Sequence, residues 1–163
     1  MFYFAYGSNM STRRLRQRVP SANRIGRAML QGHQLKFHKI SNDGSAKCDA
    51  LYTGGPEDTV LGVLFEIPAP DSPILDRVEG LGFGYERKQV MVELDDGNRF
   101  EAFVYYATRI NPALKPFDWY KQHVLTGARE NNFPETYINA LESIESIQDS
   151  DIDRHEMEIA LYR

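Results

Sequence analysis

The chain has 163 residues, enough for one domain with its own hydrophobic core, and its 42% of hydrophobic residues exclude a disordered protein. The net charge of −4, from 19 basic and 23 acidic residues, provides no strong positive field for nucleic acid. The single cysteine, Cys48, excludes an intramolecular disulfide, and no apolar run approaches the roughly 20 residues that span a bilayer. Because the N-terminus also lacks a secretory signal, we expect one cytoplasmic domain over residues 1–163, with no membrane partner.

The first element is an aromatic and apolar run over residues 1–6, which predicts a buried strand. The run breaks into Gly7, Ser8 and Asn9, and a helix-like segment that includes Ser11 follows. Gly7 allows a positive φ and a close approach of the backbone to a ligand, while the two serines and Asn9 are good helix N-cap residues. Backbone N–H groups at such a turn can hold an anion, but the local sequence alone favours an ordinary strand-to-helix connection.

The predicted helix after this loop carries four arginines, which are Arg13, Arg14, Arg16 and Arg18. A surface that binds nucleic acid would combine such a run with a positive net charge and with aromatic side chains for base stacking, and neither accompanies it here. We therefore expect a solvated helix face and no nucleic-acid partner.

The rest of the chain shows strand patterns first and helical patterns later. The strand patterns cover residues 24–40, 60–67, 85–94 and 99–107, with a hairpin turn signal at Asp95-Asp96-Gly97-Asn98. Helical apolar spacing covers residues 117–129 and 135–147, and a terminal helix is expected from Asp151. About six strands followed by helices predict an α+β fold with a mostly antiparallel, barrel-like sheet.

A short predicted helix after residue 70 ends at the sharpest catalytic candidate, Glu79. Pro73 fits the first turn of this helix, Ser72 can cap it, and Gly80 marks its end. The helix dipole disfavours a carboxylate at the C-terminal end, and burial would disfavour the charge further. Both effects make Glu79 a better base near neutral pH, with a solvated surface glutamate as the alternative.

Other chemistry-bearing residues give weaker signals. Glu66 interrupts an apolar strand and is expected inside the barrel as a second-rank acid, whereas Glu86 is expected to pair with a basic neighbour at the surface. Of the adjacent strand residues Tyr105 and Tyr106, one faces inward and can line a pocket. The histidines lack metal-ligand spacing, Cys48 is expected to be an unreactive thiol, and no P-loop, dinucleotide fingerprint or nucleophile elbow occurs. We therefore expect no metal and no cofactor.

Several motifs occur in an order that resembles the gamma-glutamylcyclotransferases. They are Tyr3-Phe4-Ala5-Tyr6-Gly7-Ser8-Asn9, then Leu75-Asp76-Arg77-Val78-Glu79-Gly80, then Tyr85 with its strand, and finally a stretch that includes Gly127-Ala128-Arg129-Glu130-Asn131-Asn132. The last stretch is similar to the helical end of the animal enzyme of the glutathione pathway. The resemblance implies a compact barrel flanked by helices, a small gamma-glutamyl substrate, no cofactor and, as an assembly, a homodimer.

The resemblance also implies roles for particular residues. The loop Tyr6-Gly7-Ser8-Asn9 would hold the gamma-glutamyl group, Tyr85 and Tyr105 would line the pocket, and Glu79 would be the acid/base. The α-amine of a gamma-glutamyl dipeptide would attack its own γ-carbonyl and release 5-oxoproline and a free amino acid. The leaving group stays open, because an enzyme with the same fold and base could act on gamma-glutamylamines or on a biosynthetic gamma-glutamyl protecting group. A non-catalytic module that binds a small ligand is the remaining alternative.

Overall fold

Five of the seven strands close into a barrel in the computed structural model, which describes residues 1–163. The strands are β1 (Phe2–Ala5), β2 (Asn23–Gln31), β3 (His33–Ile40), β4 (Ala46–Tyr52), β5 (Thr59–Glu66), β6 (Tyr85–Leu94) and β7 (Arg99–Ala107). The barrel order is β1, β5, β2, β6 and β7, and only the closing contact between β1 and β7 is parallel. β3 and β4 pair as a separate antiparallel sheet. The predicted α+β class and mostly antiparallel barrel are confirmed.

Five α-helices accompany the sheets, and most lie near their predicted positions. They are α1 (Thr12–Arg18), α2 (Ser72–Glu79), α3 (Asp118–Glu130), α4 (Glu135–Glu142) and α5 (Ile152–Ile159). α4 ends before the predicted residue 147, because Ile147 forms a parallel bridge with Phe117 and its backbone bonds are satisfied there. Ser72 begins α2 without capping it, and its hydroxyl accepts a hydrogen bond from Arg87 instead. No helix combines the length and the apolar composition needed to cross a membrane.

Strand β5 is buried on both of its faces. Val63, Leu64 and Phe65 follow one another along β5 and none of them is exposed, so both faces of this strand are covered. β5 pairs with β1 on one side, where Phe4 is also fully buried. This packing holds the end of β1 firmly in place, and the loop from residue 7 onward leaves from that end.

The sequence pattern does not predict strand β4. Alanine, lysine and aspartate dominate its first half, and these residues have low β-propensity. Its central residue, Asp49, is nevertheless buried, and it is hydrogen-bonded to His38 of β3 at 2.7 Å and to the backbone N–H of Ala107 of β7 at 2.8 Å. These tertiary contacts outweigh the local propensity. They place the backbone of Cys48 at the barrel end that carries the loop Tyr6-Gly7-Ser8-Asn9, called the opening loop below.

A cluster of charged side chains joins α1, α3 and α5. Glu158 accepts hydrogen bonds from Arg14 Nη1 at 2.8 Å and from His123 Nε2 at 2.7 Å. Burial alone would raise the pKa of Glu158, but the hydrogen bond from His123 and the charge of Arg14 outweigh burial and lower this pKa to about 2. Arg14 itself is only 7% exposed, so the expectation of a fully solvated arginine face is wrong at this position.

We expect Glu158→Gln to lower the free energy of unfolding at neutral pH and to have a smaller effect in acid. The folded-state pKa of Glu158 is depressed to about 2, so its carboxylate stabilises the fold above the ordinary value of 4.5, and this contribution is lost as the pH falls through the folded value. Urea unfolding at about pH 7 and about pH 3 measures the difference in free energy of unfolding between the variant and the wild type, which should be smaller at the lower pH. Glu156→Gln is the control, because Glu156 pairs with Arg163 at the surface. A difference that is constant with pH would contradict the role of this carboxylate.

Candidate functional site

One small cavity brings together the seven residues to which the resemblance gave a catalytic or substrate-binding role. It lies between the opening loop, the end of α2 and the barrel wall, and the centre of a water molecule can move within about 30 Å³ of it. The predicted residues that line it are Tyr6, Gly7, Ser8, Asn9, Glu79, Tyr85 and Tyr105. Tyr3, Cys48 and Tyr120 complete the lining, although the sequence analysis gave them no part in the site. β1 is buried on both faces, with Tyr3, Phe4 and Ala5 all buried, so strand alternation gives no signal that would mark Tyr3.

The opening loop does not use the positive φ that Gly7 allows. Gly7 has φ −115°, Ser8–Met10 form one turn of 3-10 helix, and Ser11 precedes α1 without a side-chain capping bond. Space favours glycine here, because a Cβ on Gly7 would make tight contacts, 3.1 Å from the Cβ of Cys48 and 3.2 Å from the hydroxyl of Tyr120. The backbone N–H of Gly7 donates to no acceptor in the protein, so it is available to a ligand.

Glu79 faces this loop from the last residue of α2, which Gly80 ends in the left-handed conformation at φ 73°. Asn9 donates from Nδ2 to Glu79 Oε1 at 2.8 Å, and Arg18 Nη1 lies 3.3 Å from the same oxygen. The Glu79 side chain is 17% exposed. The other carboxylate oxygen, Oε2, accepts no hydrogen bond from the protein, so it is the oxygen that can serve a ligand.

Arg18 is the neighbour of Glu79 that the sequence analysis missed. Its guanidinium donates to Asn9 Oδ1 at 2.9 Å as well as contacting Glu79, so one side chain ties the loop to the carboxylate. The solvated-face expectation is therefore wrong for Arg18 as for Arg14, while Arg13 and Arg16 are exposed as expected. The four-residue spacing of Arg14 and Arg18 places both on one face of α1, and this spacing is the signal in the sequence.

We expect Arg18→Met to reduce turnover of the gamma-glutamyl substrate that the resemblance implies by about threefold to tenfold, because a half-buried ion pair to a carboxylate contributes on the order of 1 kcal/mol. Without the guanidinium, Asn9 alone would hold Glu79 Oε1, and the carboxylate would leave its position for part of the time. Steady-state kinetics measure the change in kcat. Arg16→Met is the matched control, since Arg16 is exposed on the same helix and donates only to the backbone carbonyl of Ala22. Equal effects of the two substitutions would contradict the positioning role.

Three tyrosines of the cavity wall are fixed by hydrogen bonds from their hydroxyls. Tyr6 donates to the backbone carbonyl of Tyr105 at 2.6 Å, Tyr85 donates to the carbonyl of Cys48, and Tyr105 donates to Asp76 at 2.6 Å. Burial raises the pKa of all three hydroxyls well above the ordinary tyrosine value, so they are neutral at physiological pH. They give the cavity a rigid wall, and Tyr85 lies in it with only 7% of its surface exposed.

Tyr3 differs from these three. Its hydroxyl accepts a hydrogen bond from Asn9 Nδ2 at 3.2 Å, and its own proton has no acceptor in the protein. Burial, the largest effect, raises the pKa of Tyr3, and the nearby charge of Glu79 raises it further, so this hydroxyl also keeps its proton. A neutral hydrogen-bond donor therefore faces the cavity beside the carboxylate.

The exposure of four further side chains can be compared with what the sequence predicts. Glu66 is exposed where β5 ends at the barrel rim, so its expected position inside the barrel is wrong. Glu86 is exposed as expected, but it has no ion-pair partner because its cross-strand neighbour is Tyr106. Tyr105 is the inward member of its pair, at 2% exposed. Burial raises the pKa of the Cys48 thiol to about 12, in keeping with an unreactive cysteine.

A wider groove of about 320 Å³ lies elsewhere, between β3, β5 and α4. Leu35, Tyr137 and Leu141 are among its lining residues, and none of the predicted site residues reaches it. The smaller cavity is the stronger candidate because it combines a carboxylate, an unpaired backbone N–H and a free hydroxyl donor. No group of three His, Cys, Asp or Glu side chains is arranged to hold a metal ion.

Comparisons with known proteins agree in sequence and in structure. The AIG2-like family model matches residues 59–141. The gamma-glutamylcyclotransferases of Bos taurus and Homo sapiens are each 33% identical to this chain over 151 residues, covering 88% of the chain and 78% of the relative. A solved structure of a gamma-glutamyl cyclotransferase superposes with a TM-score of 0.83 at 28% identity, covering 94% of this chain and 96% of that one.

Proposed function

Because the chain belongs to the gamma-glutamylcyclotransferase family of enzymes, we propose that it converts gamma-glutamyl dipeptides into 5-oxoproline and a free amino acid, with Glu79 as the acid/base. The observation that carries this proposal is the contact between Asn9 and Glu79 at 2.8 Å. This contact holds the Glu79 carboxylate at the cavity with Oε2 free. The unpaired backbone N–H of Gly7 belongs to the lining of the same cavity.

The reaction needs a substrate folded so that its two ends meet. The free α-amine attacks the γ-carbonyl of the same molecule, a C–N bond closes the five-membered ring, and the C–N bond to the leaving amino acid breaks. Holding the two groups in contact supplies a proximity effect, which is large when the reacting atoms are about 3–3.5 Å apart. The rigid tyrosine wall of the cavity would restrict the substrate to that folded shape.

Glu79 would handle the proton of this reaction. An α-ammonium group carries no lone pair, so a base must remove a proton before the nitrogen can attack. Oε2 of Glu79 is free to accept that proton, while Asn9 and Arg18 hold Oε1. The same carboxylic acid then returns the proton to the departing amine, which makes the residue an acid and a base in turn.

The γ-carbonyl oxygen gains negative charge as the amine adds, and donors that are already in place stabilise such charge. The backbone N–H of Gly7 and the hydroxyl of Tyr3 both lie on the cavity without an acceptor. These two groups would bind the substrate oxygens, which are the developing oxyanion and the α-carboxylate.

The test is a direct assay of the purified protein with gamma-glutamyl-alanine. We expect 5-oxoproline and alanine to appear in equal amounts. The α-linked isomer, glutamyl-alanine with an ordinary peptide bond, is the matched control, because its amine cannot reach a γ-amide carbonyl. Absence of 5-oxoproline with a panel of gamma-glutamyl dipeptides would refute the proposal, and binding without turnover would support a non-catalytic module instead.

A further inference from the structure

A second cavity continues outward from the first. Its volume is about 210 Å³, and it shares Ser8, Glu79, Tyr85 and Tyr120 with the inner cavity. A substrate whose γ-carbonyl lies beside Glu79, with its gamma-glutamyl end in the inner cavity, would therefore extend its leaving group into the outer one. The chemistry of the outer cavity thus decides which leaving group fits.

Four cationic side chains line this outer cavity, and three of them already have partners. Arg14 pairs with Glu158 at 2.8 Å, and Arg18 contacts Glu79 at 3.3 Å. Lys47 pairs with Asp43 at 2.9 Å and also donates to the hydroxyl of Ser45. The fourth cation, Lys39, has no carboxylate within ion-pair distance and donates no hydrogen bond within the protein.

Lys39 is held in an unusual setting for a lysine. Only 9% of the residue is exposed, and its ammonium lies 4.6 Å from the centre of the Tyr85 ring. A β-bulge between Phe37 and Lys39 turns the side chain inward next to His38, which is also buried. Burial lowers the pKa of Lys39, although the charge of Glu79 acts in the opposite direction. An ammonium that is partly desolvated and has no partner in the protein gains from a counter-charge, so an anionic ligand in the cavity would bind favourably.

We propose that Lys39 binds the α-carboxylate of the leaving amino acid and so selects gamma-glutamyl amino acids over gamma-glutamylamines. This inference rests on the proposed function. A leaving amino acid carries its carboxylate one carbon from the scissile nitrogen, so the carboxylate enters the outer cavity close to Glu79. An amine that lacks this group leaves Lys39 unpaired, and the binding energy of one charge-assisted contact is lost.

The experiment compares two substrates that differ only in this carboxylate, gamma-glutamyl-alanine and gamma-glutamylethylamine. In the wild type, we expect the first to have the higher kcat/KM. Lys39→Met should reduce kcat/KM for gamma-glutamyl-alanine by about 10- to 100-fold, mainly through KM, which is the range for one hydrogen bond to a charged group. The same substitution should change kcat/KM for gamma-glutamylethylamine by less than about twofold, because that substrate never contacts the ammonium.

Two further variants make the result specific. Lys39→Arg keeps the charge and should retain most of the preference for the carboxylate. Lys36→Met is the matched control, because Lys36 is exposed on the same strand and should leave both substrates unaffected. A thermal melt of each variant checks that it is folded. An equal loss for both substrates, or no loss for either, would overturn the role of Lys39.

Binding separates this inference from the proposed function. In the Glu79→Gln background, calorimetric titration with gamma-glutamyl-alanine should show a weaker affinity when Lys39→Met is added, whereas titration with gamma-glutamylethylamine should show no change. If the wild type forms no 5-oxoproline but this difference in affinity is present, the proposed reaction fails and the carboxylate site stands. If the wild type is active and both affinities respond alike, the reaction stands and the carboxylate site fails.

Discussion

Glu79→Gln is expected to abolish nearly all 5-oxoproline formation, with kcat lower by about 10²- to 10⁴-fold, the usual contribution of a general acid/base. A glutamine amide cannot take the proton from the α-ammonium group, so the attacking nitrogen stays protonated. KM should change little, because the substitution leaves the proposed substrate contacts of the opening loop in place. Steady-state release of 5-oxoproline from gamma-glutamyl-alanine measures both constants.

The same substitution is expected to leave the fold intact. The amide has the shape of the carboxylate, and its oxygen can still accept from Asn9 and Arg18 in the place of Oε1. A circular dichroism melt should therefore stay within a few degrees of the wild type. Glu86→Gln is the matched control, since Glu86 is exposed and unpaired on a barrel strand. Full activity of the Glu79 variant, or equal loss in the Glu86 variant, would contradict the assignment.

The barrel strands could be predicted because their patterns are local. β5 is a continuous apolar run, and β6 and β7 join across a turn sequence that contains a left-handed glycine, Gly97 at φ 84°. Strand β4 could not be predicted in this way. Its Asp49 is stabilised by His38 and by the backbone of Ala107, partners 11 and 58 residues away. Local propensity carries no information about such contacts.

The candidate site shows the same division between local and distant information. The end of α2 at Glu79 follows from Gly80, a local signal, and the structure agrees with it. The contact between Asn9 and Glu79 joins residues 70 positions apart, and no spacing rule predicts it. Only the ordered resemblance to a family placed these two segments together. Arg18 was missed for a related reason. Its four-residue spacing from Arg14 places both on one face of α1, but the spacing does not show that this face is covered or that Glu79 lies beside Arg18.

The position of the opening loop depends on one glycine in helix α3. A Cβ on Gly127 would lie 2.6 Å from the Cβ of Met10 and 2.8 Å from the backbone nitrogen of Ser11. These atoms belong to the segment that follows Asn9. Asn131, the residue just after α3, also donates a hydrogen bond from its side chain to the carbonyl of Met10. The helix and the loop therefore touch backbone to backbone, with no flexible side chain between them to move aside.

Gly127→Ala is accordingly expected to damage both stability and activity. Alanine favours a helix over glycine by about 1 kcal/mol, but overpacking against fixed backbone costs more, so we expect a net loss of about 2 kcal/mol. For a chain of this size, that loss corresponds to a melting temperature lower by about 4–8 °C. The displaced loop would misplace the substrate against Glu79, and a shift of about 1 Å can reduce kcat by up to a hundredfold.

The informative comparison is with a glycine that has room. A Cβ on Gly26 of β2 would have its nearest contact at 3.6 Å, on the flexible end of Leu94, so Gly26→Ala should leave the melting temperature and kcat nearly unchanged. If Gly127→Ala melted like the wild type and kept its activity, α3 would not set the position of the loop. If the Gly127→Ala variant melted at a lower temperature but kept full kcat, α3 would stabilise the fold without controlling the site. The contacts of the loop with β1 and Arg18 would then be the ones that position it.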